Sequence, residues 1–516
     1  MSNPSPHGCD NRSSRPLAVV SNREPYLHSL AADGSLAWAP TTGGVSVALD
    51  ALMRERGGVW IAHGAGTADR QVVDEDDRVL VPPDSPSYAL RRVWLSESEE
   101  HHYYEGFANE GLWPLCHVAH VKPVFRTKDW HVYRSVNERF AQAVSDELPD
   151  LAAPVFIQDY HLALVPGYLR RLRPEARIAL FWHIPFPHPQ KLRLCPYRRQ
   201  LLEGLVATDL LAFQLDRDRL NFLAAAQAEF GAKEDRSRVY VGDRAASVCA
   251  VPIGVDFDRI QRVTRDPGLE NEMERLRREL RIDTPVIGIG VDRLDYTKGI
   301  PERLAALDAL FTRWPVLRDQ LTFVQIAVPS RSKLDSYVTV EAEIDRQVAK
   351  VNAKHGRAGD GTGPIRYRKS ALRLHRLVAL YRLADFCIVS SLHDGMNLVA
   401  KEFVAAREDL GGVLVLSELA GAAQELGDAV IINPYDVEGF TDGLRQALDM
   451  PLGERKRRME LLRRVVAGRD VLRWATDILE GLESVDSTRL PPGSANHLRR
   501  PNPTVVTTTE QVPTKG

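Results

Sequence analysis

The stretch PVIGIGVDRLDYTKGIPERLAALDALFTRW, residues 285–314, decides the fold class. PVIGIGV (285–291) is a nearly unbroken apolar run, as a parallel strand covered on both faces requires. Leu304, Leu307, Leu310 and Phe311 then recur at helical spacing, the apolar stripe of an amphipathic helix. LTFVQIA (321–327) is a second apolar run. Strand, helix, strand is a βαβ unit, and its two strands run parallel.

Working outward, the same pattern covers most of the chain. PLAVV (16–20), GVWIA (58–62), PVFIQ (154–158), RIALFW (177–182) and DLLAF (209–213) precede the stretch. DFCIVS (385–390), GVLVLS (412–417) and DAVII (428–432) come after it. Ten such strands exceed one sheet of usual size, so an α/β fold with two Rossmann-like, doubly wound domains is expected. The seam falls at VPIGVDFDRI (251–260), with a charged helical stretch after it. The expected division is 1–15 a disordered tail, 16–254 an acceptor domain, 255–465 a nucleotide-sugar domain, 466–486 a helix packing back on the first domain, and 487–516 a second disordered tail. Two such domains face each other across a deep cleft at the carboxyl ends of their strands.

Composition narrows the function. The 516 residues are 44% hydrophobic and 26% charged, which suits globular domains and excludes a fibrous or wholly disordered chain. A net charge of −2 gives no basic field for nucleic acid or acidic lipid. No apolar run approaches the roughly 18–20 residues of a membrane span, and the first fifteen residues lack the apolar core of a secretory signal. Five single cysteines (Cys9, Cys116, Cys195, Cys249, Cys387) without a CxxC suit reduced thiols in the cytoplasm, not a disulfide framework or a zinc site. There is no Walker A pattern and no complete GxGxxG, which argues against a P-loop ATPase and a dinucleotide oxidoreductase.

The residues just after the strands carry the chemistry. SNRE (21–24) brings Arg23 to the mouth of the cleft, and Gly43 and Gly44 open a helix where backbone N–H groups can approach an anion. QDYH (158–161) projects Asp159, and WHIPFPHP (182–189) holds His183 before a proline-stiffened loop. Arg293 and Lys298 lie five residues apart around a turn before a helix, an arrangement suited to a diphosphate leaving group. VPSRSK (328–333) adds Arg331. HDGMNLVAKE (393–402) sets Asp394 at a turn, with Met396 through Lys401 beginning a helix and Glu402 two turns later on about the same face. Such carboxylates accept hydrogen bonds from sugar hydroxyls. In YYEGFANEGLW, Tyr103, Tyr104, Phe107 and Trp113 form either a core cluster or a sugar-facing wall.

These blocks occur in one order: SNRE, TTGG, YYEGFANEGLWP, QDYHLALVP, FWHIPFPHP, DLLAFQ, VPIGVD, GVDRLDYTKGIPERL, QIAVPSR, DGMNLVAKE, GVLVLSELAGAA and INPYD. The chain from about 17 to 485 thereby resembles the trehalose-6-phosphate synthase family of retaining glycosyltransferases. The resemblance implies a GT-B architecture and transfer of glucose from a nucleotide-glucose to glucose 6-phosphate, with no metal or other cofactor. A homo-oligomer is among the expectations it carries. It implies that Arg293 and Lys298 hold the donor diphosphate and that Asp394 binds the donor glucose, helped by backbone at Gly395, Met396 and Asn397. Leu398 and Val399 would lie near the nucleotide, Glu402 at its ribose and His183 at the donor sugar. Gly43 and Gly44 would approach the diphosphate and the acceptor. Asp159 would meet the acceptor, with Arg23, Tyr104, Trp113 and Arg331 around it and its phosphate. UDP, GDP and ADP all remain open as the nucleotide.

Three positions depart from the family pattern. IAHGAG, with His63, stands where many members carry Trp after the second strand; His393 replaces an Arg before DGMN; and SRGD reads SRSK, with Ser332. The first touches the acceptor side, so glycerol 3-phosphate and cyclitol acceptors are the nearest alternatives. A silent sugar-phosphate sensor would have lost the diphosphate cations, and both are present.

Overall fold

Two mainly parallel sheets, seen in a computed structural model, carry the molecule; residues 16–41, 44–118, 121–148, 153–235, 237–242, 244–331, 333–356 and 363–485 are described. The strands of the amino-terminal half are β1 (Leu17–Arg23), β2 (Tyr26–Leu30), β3 (Leu36–Pro40), β4 (Gly58–His63), β5 (Arg78–Val81) and β6 (Tyr88–Val93). They continue with β7 (Pro154–Gln158), β8 (Arg177–Trp182), β9 (Leu210–Phe213), β10 (Lys233–Asp235), β11 (Arg238–Val241) and β12 (Arg244–Ala250). The carboxyl-terminal half has β13 (Val286–Arg293), β14 (Leu321–Val328), β15 (Ile365–Arg368), β16 (Phe386–Val389), β17 (Val413–Ser417) and β18 (Val430–Ile432).

The first sheet has ten strands in the order β10-β11-β12-β9-β8-β7-β1-β4-β6-β5, antiparallel only at its two edges. The second has six, all parallel, in the order β15-β14-β13-β16-β17-β18. All ten apolar runs of the sequence are strands, five in each half. The remaining strands lack such runs. β15 reads IRYR, alternating apolar side chains with arginines, β6 reads YALRRV, broken by Arg91 and Arg92, and β2 and β3 form a separate hairpin. A reading tuned to continuous apolar runs passes over them, because polar residues interrupt them.

The chain crosses between the halves twice, side by side. After β12 it passes through 251–256; the helices Phe257–Thr264 and Leu269–Glu279 then pack on Leu398–Ala406 and Leu374–Leu383. It returns beside the first crossing, where the Val471 N–H donates to the Val255 carbonyl at 3.3 Å. A Cβ on Gly254 would lie 1.9 Å from the Arg469 carbonyl, so only glycine permits this approach. The last described helix, Val471–Ser484, lies on the amino-terminal sheet. Its buried Trp474 packs against Phe156 of β7 and Phe181 of β8, at ring separations of 5.7 and 4.9 Å.

Candidate active site

Between the halves lies a cleft of about 480 Å³. Its walls come from the loops after β1, β7, β8, β13, β14 and β16, all strands of the parallel parts of the sheets. Arg23, Tyr104, Trp113, Asp159, His183, Arg293, Lys298, Arg331, Asp394, Gly395, Met396, Asn397, Leu398 and Val399 all line it. Gly44 is the first residue of the helix Gly44–Arg56, whose Val45 and Ser46 also face the cleft. Gly43 and Ser332 lie outside the described residues.

At one end, β13 ends at Arg293 and the chain turns through a short 3-10 segment, Tyr296–Lys298, into the helix Ile300–Arg313. Asp295, fully buried, accepts the N–H and hydroxyl of Thr297 at 3.0 and 2.9 Å. Burial raises its pKa, but Arg331, Arg293, Lys298 and the Thr297 N–H outweigh that and hold the carboxyl below its usual value. Beneath the turn, buried Arg303 pairs with Asp292 at 2.7 Å and reaches Gln325 and Ser390. The Lys298 Nζ stands 2.5 Å from Asp394 Oδ2. Burial works against the Asp394 carboxylate, yet Lys298 and Asn397 more than compensate, and it is ionised well below neutral pH. The Arg293 side chain is 40% exposed and stands 3.9 Å from Asp295, its nearest carboxylate.

The HDGMN segment corrects one expectation. The helix begins at Leu398, not at Met396, because Asn397 takes a left-handed φ of 81° and caps it, accepting the Ala400 N–H at 3.3 Å. Asp394 therefore sits before the helix and does not share a helical face with Glu402. Glu402 does not line the cleft; it accepts the Tyr381 hydroxyl at 3.0 Å, and burial pushes its carboxyl up to about 7. Gly395 touches the other half: a Cβ there would lie 2.5 Å from the His183 carbonyl.

At the other end, a π-helix, His101–Leu112, divides the aromatic cluster. Tyr103 and Phe107 are core, while Tyr104 and Trp113 face the cleft. The cluster is therefore part core and part cleft wall. The guanidinium carbon of Arg331 lies 4.0 Å from the Trp113 ring centroid, and His117 stacks on the same ring at 4.1 Å. Arg331 also reaches Tyr160 at 3.4 Å and Asp295 at 3.3 Å, and donates to the Tyr337 hydroxyl, so a residue of one half is tied to both. Arg23 contacts the Tyr104 hydroxyl at 3.4 Å. Burial raises the Tyr104 phenol, but Arg331 and Arg23 pull it down to about 8.

Asp159 accepts the N–H groups of Tyr160 and His183 at 2.9 and 3.1 Å. His183 is kept neutral by burial, its pKa falling to about 3, and its Nε2 meets Gln158 Oε1 at 2.9 Å. Of the six non-glycine residues with positive φ among the described residues, Asp159, Arg331 and Asn397 line this cleft. Strain of that kind persists where the surroundings enforce it, and it gathers at functional sites. Four buried polar atoms of the same walls, Trp113 Nε1, Gln158 Nε2, His161 Nε2 and Arg331 Nε, have no protein partner.

Sequence reasoning missed several of these groups. Tyr160 and His161 adjoin Asp159 in QDYH, and Asp295 lies inside VDRLDYTKG, so the motifs contained them. His117 had no local signal, since its place depends on the stacking under Trp113. His63 faces a neighbouring cavity, and His393 accepts the Val118 N–H at 3.1 Å. Among the described residues no group of His, Cys, Asp and Glu could hold a metal ion, and no helix is long and apolar enough to cross a membrane.

Burial, partly offset by the two N–H groups and by Arg331 and Arg293, raises Asp159 from 3.8 to about 7. Its ionisation therefore costs the folded state stability as pH rises from about 4 towards 7, and the cost is constant above that. Asp159→Asn keeps an oxygen for both N–H groups. Relative to the parent protein it is expected to gain stability across that interval and plateau above it, read by urea melts at about pH 5, 6, 7 and 8. A pH-independent difference would show that the carboxyl does not titrate there.

The profile of glycosyltransferase family 20 matches residues 15–484. Trehalose-6-phosphate synthase of Mycobacterium avium (strain 104) is 40% identical over 475 residues, covering 90% of this chain and 95% of its own. That of Mycobacterium tuberculosis (strain ATCC 25618 / H37Rv) is 40% identical over 476 residues, covering 90% and 94%. The alpha,alpha-trehalose-phosphate synthase (UDP-forming) of Burkholderia xenovorans, solved with glucose-6-phosphate, superposes with a TM-score of 0.81 at 31% identity, covering 91% of this chain and all of that one. An E. coli structure bound with UDP-2-fluoro glucose gives 0.81 at 32%, covering 91% and 99%. With a profile spanning both sheets and the cleft between them, the chain belongs to glycosyltransferase family 20.

Proposed function

We propose that the chain transfers glucose from a nucleotide-diphosphate glucose to the anomeric hydroxyl of glucose 6-phosphate, with retention, giving α,α-trehalose 6-phosphate. One observation carries the reading: a single cleft gathers four cations, Lys298 beside Asp394, Arg23 against Tyr104, and Arg293 and Arg331 around Asp295 and Trp113. Such a concentration of positive charge suits two phosphate-bearing substrates meeting in one cleft.

In this reading Arg293 and Lys298 face the diphosphate as the bond from its oxygen to glucose C1 breaks and negative charge builds there. Asp394, kept ionised by Lys298, accepts hydroxyls of the donor glucose, and neutral His183 hydrogen-bonds the same sugar. Backbone at Gly44 and at Gly395 through Asn397 approaches the donor, and Leu398 and Val399 flank the nucleotide. Asp159 orients the acceptor, whose phosphate meets Arg23 and Arg331. The acceptor oxygen bonds to C1 on the face the diphosphate leaves, and the departing phosphate oxygen takes the acceptor proton. No carboxylate base is then needed.

The test is a product assay with glucose 6-phosphate and each of UDP-, GDP- and ADP-glucose, read by mass and NMR. The Burkholderia and E. coli neighbours put UDP-glucose first. A non-reducing α,α-linked disaccharide phosphate is expected. Nucleoside diphosphate release without that product overturns the acceptor assignment, and no turnover of any donor overturns the reading.

A further inference from the structure

One buried guanidinium is keyed to the three segments that bring Arg293, Lys298 and Asp394 to the cleft. Arg303 lies on the helix that follows the turn and is fully buried. Its Nη1 donates to Asp292 Oδ2 at 2.7 Å and to Gln325 Oε1 at 2.8 Å. Asp292 is the residue before Arg293 at the end of β13. The Arg303 Nε donates to the Ser390 hydroxyl at 3.1 Å, and that hydroxyl shares its own proton between the Gly299 and Lys298 carbonyls, at 2.8 and 3.2 Å. The next residue, Ser391, donates its hydroxyl to Asp394 Oδ2 at 3.2 Å. The turn from 293 to 298 is thus anchored at both ends by the same side chain.

The fold gives up ordinary packing to admit this group. Gly290 stands inside β13, and a Cβ there would lie 2.1 Å from Arg303 Nη1. Arg303 Nη2 is buried and has no hydrogen-bond partner among the described residues. A buried ion pair is a weak source of stability, because desolvation offsets its attraction, and a well-packed apolar side chain often does as well. Leu304, Leu307 and Leu310 of the same helix already supply that packing. An apolar side chain could not fix Asp292 and Ser390 together, each in one orientation, as a forked guanidinium does.

We propose that Arg303 is a positioning residue for the glucosyl transfer: through Asp292 and Ser390 it sets where Arg293 and Lys298 present their charges to the departing diphosphate. Arg303 itself does not line the cleft. The inference rests on the leaving-group reading of those two cations. Preorganised charge lowers a barrier only where it already stands when the new charge develops, and a displacement of about 1 Å can cost on the order of 10²-fold in rate.

Ser390→Ala and Arg303→Lys test it, by steady-state kinetics beside thermal melts of the full chain. The alanine cuts the link to the Lys298 and Gly299 carbonyls and leaves the Arg303–Asp292 pair intact. The lysine keeps a charge beside Asp292 and loses the fork. Both variants are expected to melt like the parent protein, with kcat lowered about tenfold or more and KM for glucose 6-phosphate unchanged. The loss in Arg303→Lys should shrink when Arg293 is already alanine, because both changes then act on the same charge. Turnover within about threefold of the parent in folded Ser390→Ala overturns the proposal. So does a rise in KM that matches the fall in kcat, or an Arg303→Lys loss of the same size in the Arg293→Ala background, since a general weakening of the site gives either result. If Arg303→Lys does not fold, the split between kcat and KM in Ser390→Ala decides alone. A parent protein that turns over no donor removes the proposed function instead. The placement of the cations is then read calorimetrically with UDP, GDP and ADP: weaker binding in the variants supports the positioning role, and equal behaviour of parent and variants, absence of binding included, overturns it.

Discussion

Arg293→Ala is expected to lower kcat by about 10²- to 10³-fold, the usual loss when one preorganised charge-stabilising group is removed from a transition state. The effect should appear in kcat and in kcat/KM alike, because the arginine matters most when the diphosphate charge is fully developed. Folding should be untouched. The side chain is 40% exposed and its nearest carboxylate among the described residues, Asp295 at 3.9 Å, keeps Thr297 and Arg331 as partners. Lys298 would make a poorer test, since its loss strands the buried Asp394 carboxylate and mixes stability with chemistry. Steady-state kinetics beside a thermal melt decide the matter. Turnover within tenfold of the parent protein, at unchanged stability, would remove Arg293 from the leaving-group role.

The largest stability effect is expected far from the phosphates. Trp474→Ala should cost about 3–5 kcal/mol, the range for deleting a large buried aromatic side chain. Trp474 is 2% exposed and packs against Phe156, Phe181 and His183, so its removal opens a void under two central strands. Urea denaturation with an unchanged slope and a lowered midpoint is the expected signature. A shift below about 1 kcal/mol would mean that the sheet collapses into the space without penalty. Because the His183 ring is a neighbour, at 5.8 Å, a weaker hold on the donor sugar should accompany the loss.

Much of this architecture could be read from residues alone, and the reason is local. Central parallel strands are apolar on both faces, so PVIGIGV and RIALFW announce themselves, and the loop after each such strand lies at the strand's carboxyl end. That is why fourteen of the expected side chains and backbone groups meet in one cleft. The features that escaped depend on backbone conformation or on distant packing. Nothing in HDGMN shows that Asn397 turns left-handed and detaches Asp394 from the helix carrying Glu402. Nothing in YYEGFANEGLW shows that a π-helix sends Tyr103 inward and Tyr104 outward. His117 becomes part of the site only because Trp113 lies over it. Strands interrupted by arginines, such as β6 and β15, fell outside a search for continuous apolar runs.

The paired crossings at Gly254 and Val471 have a consequence for biosynthesis. The amino-terminal sheet is complete at Ala250, yet Phe156 and Phe181 receive Trp474 only after the entire second half has left the ribosome. At about 5–20 residues per second, that face stays uncovered for roughly ten seconds or more during each round of translation. The nascent first half is then a partly finished layer with an apolar strip on its surface, open to chaperone capture. The second half folds as an insertion whose last helix closes the first.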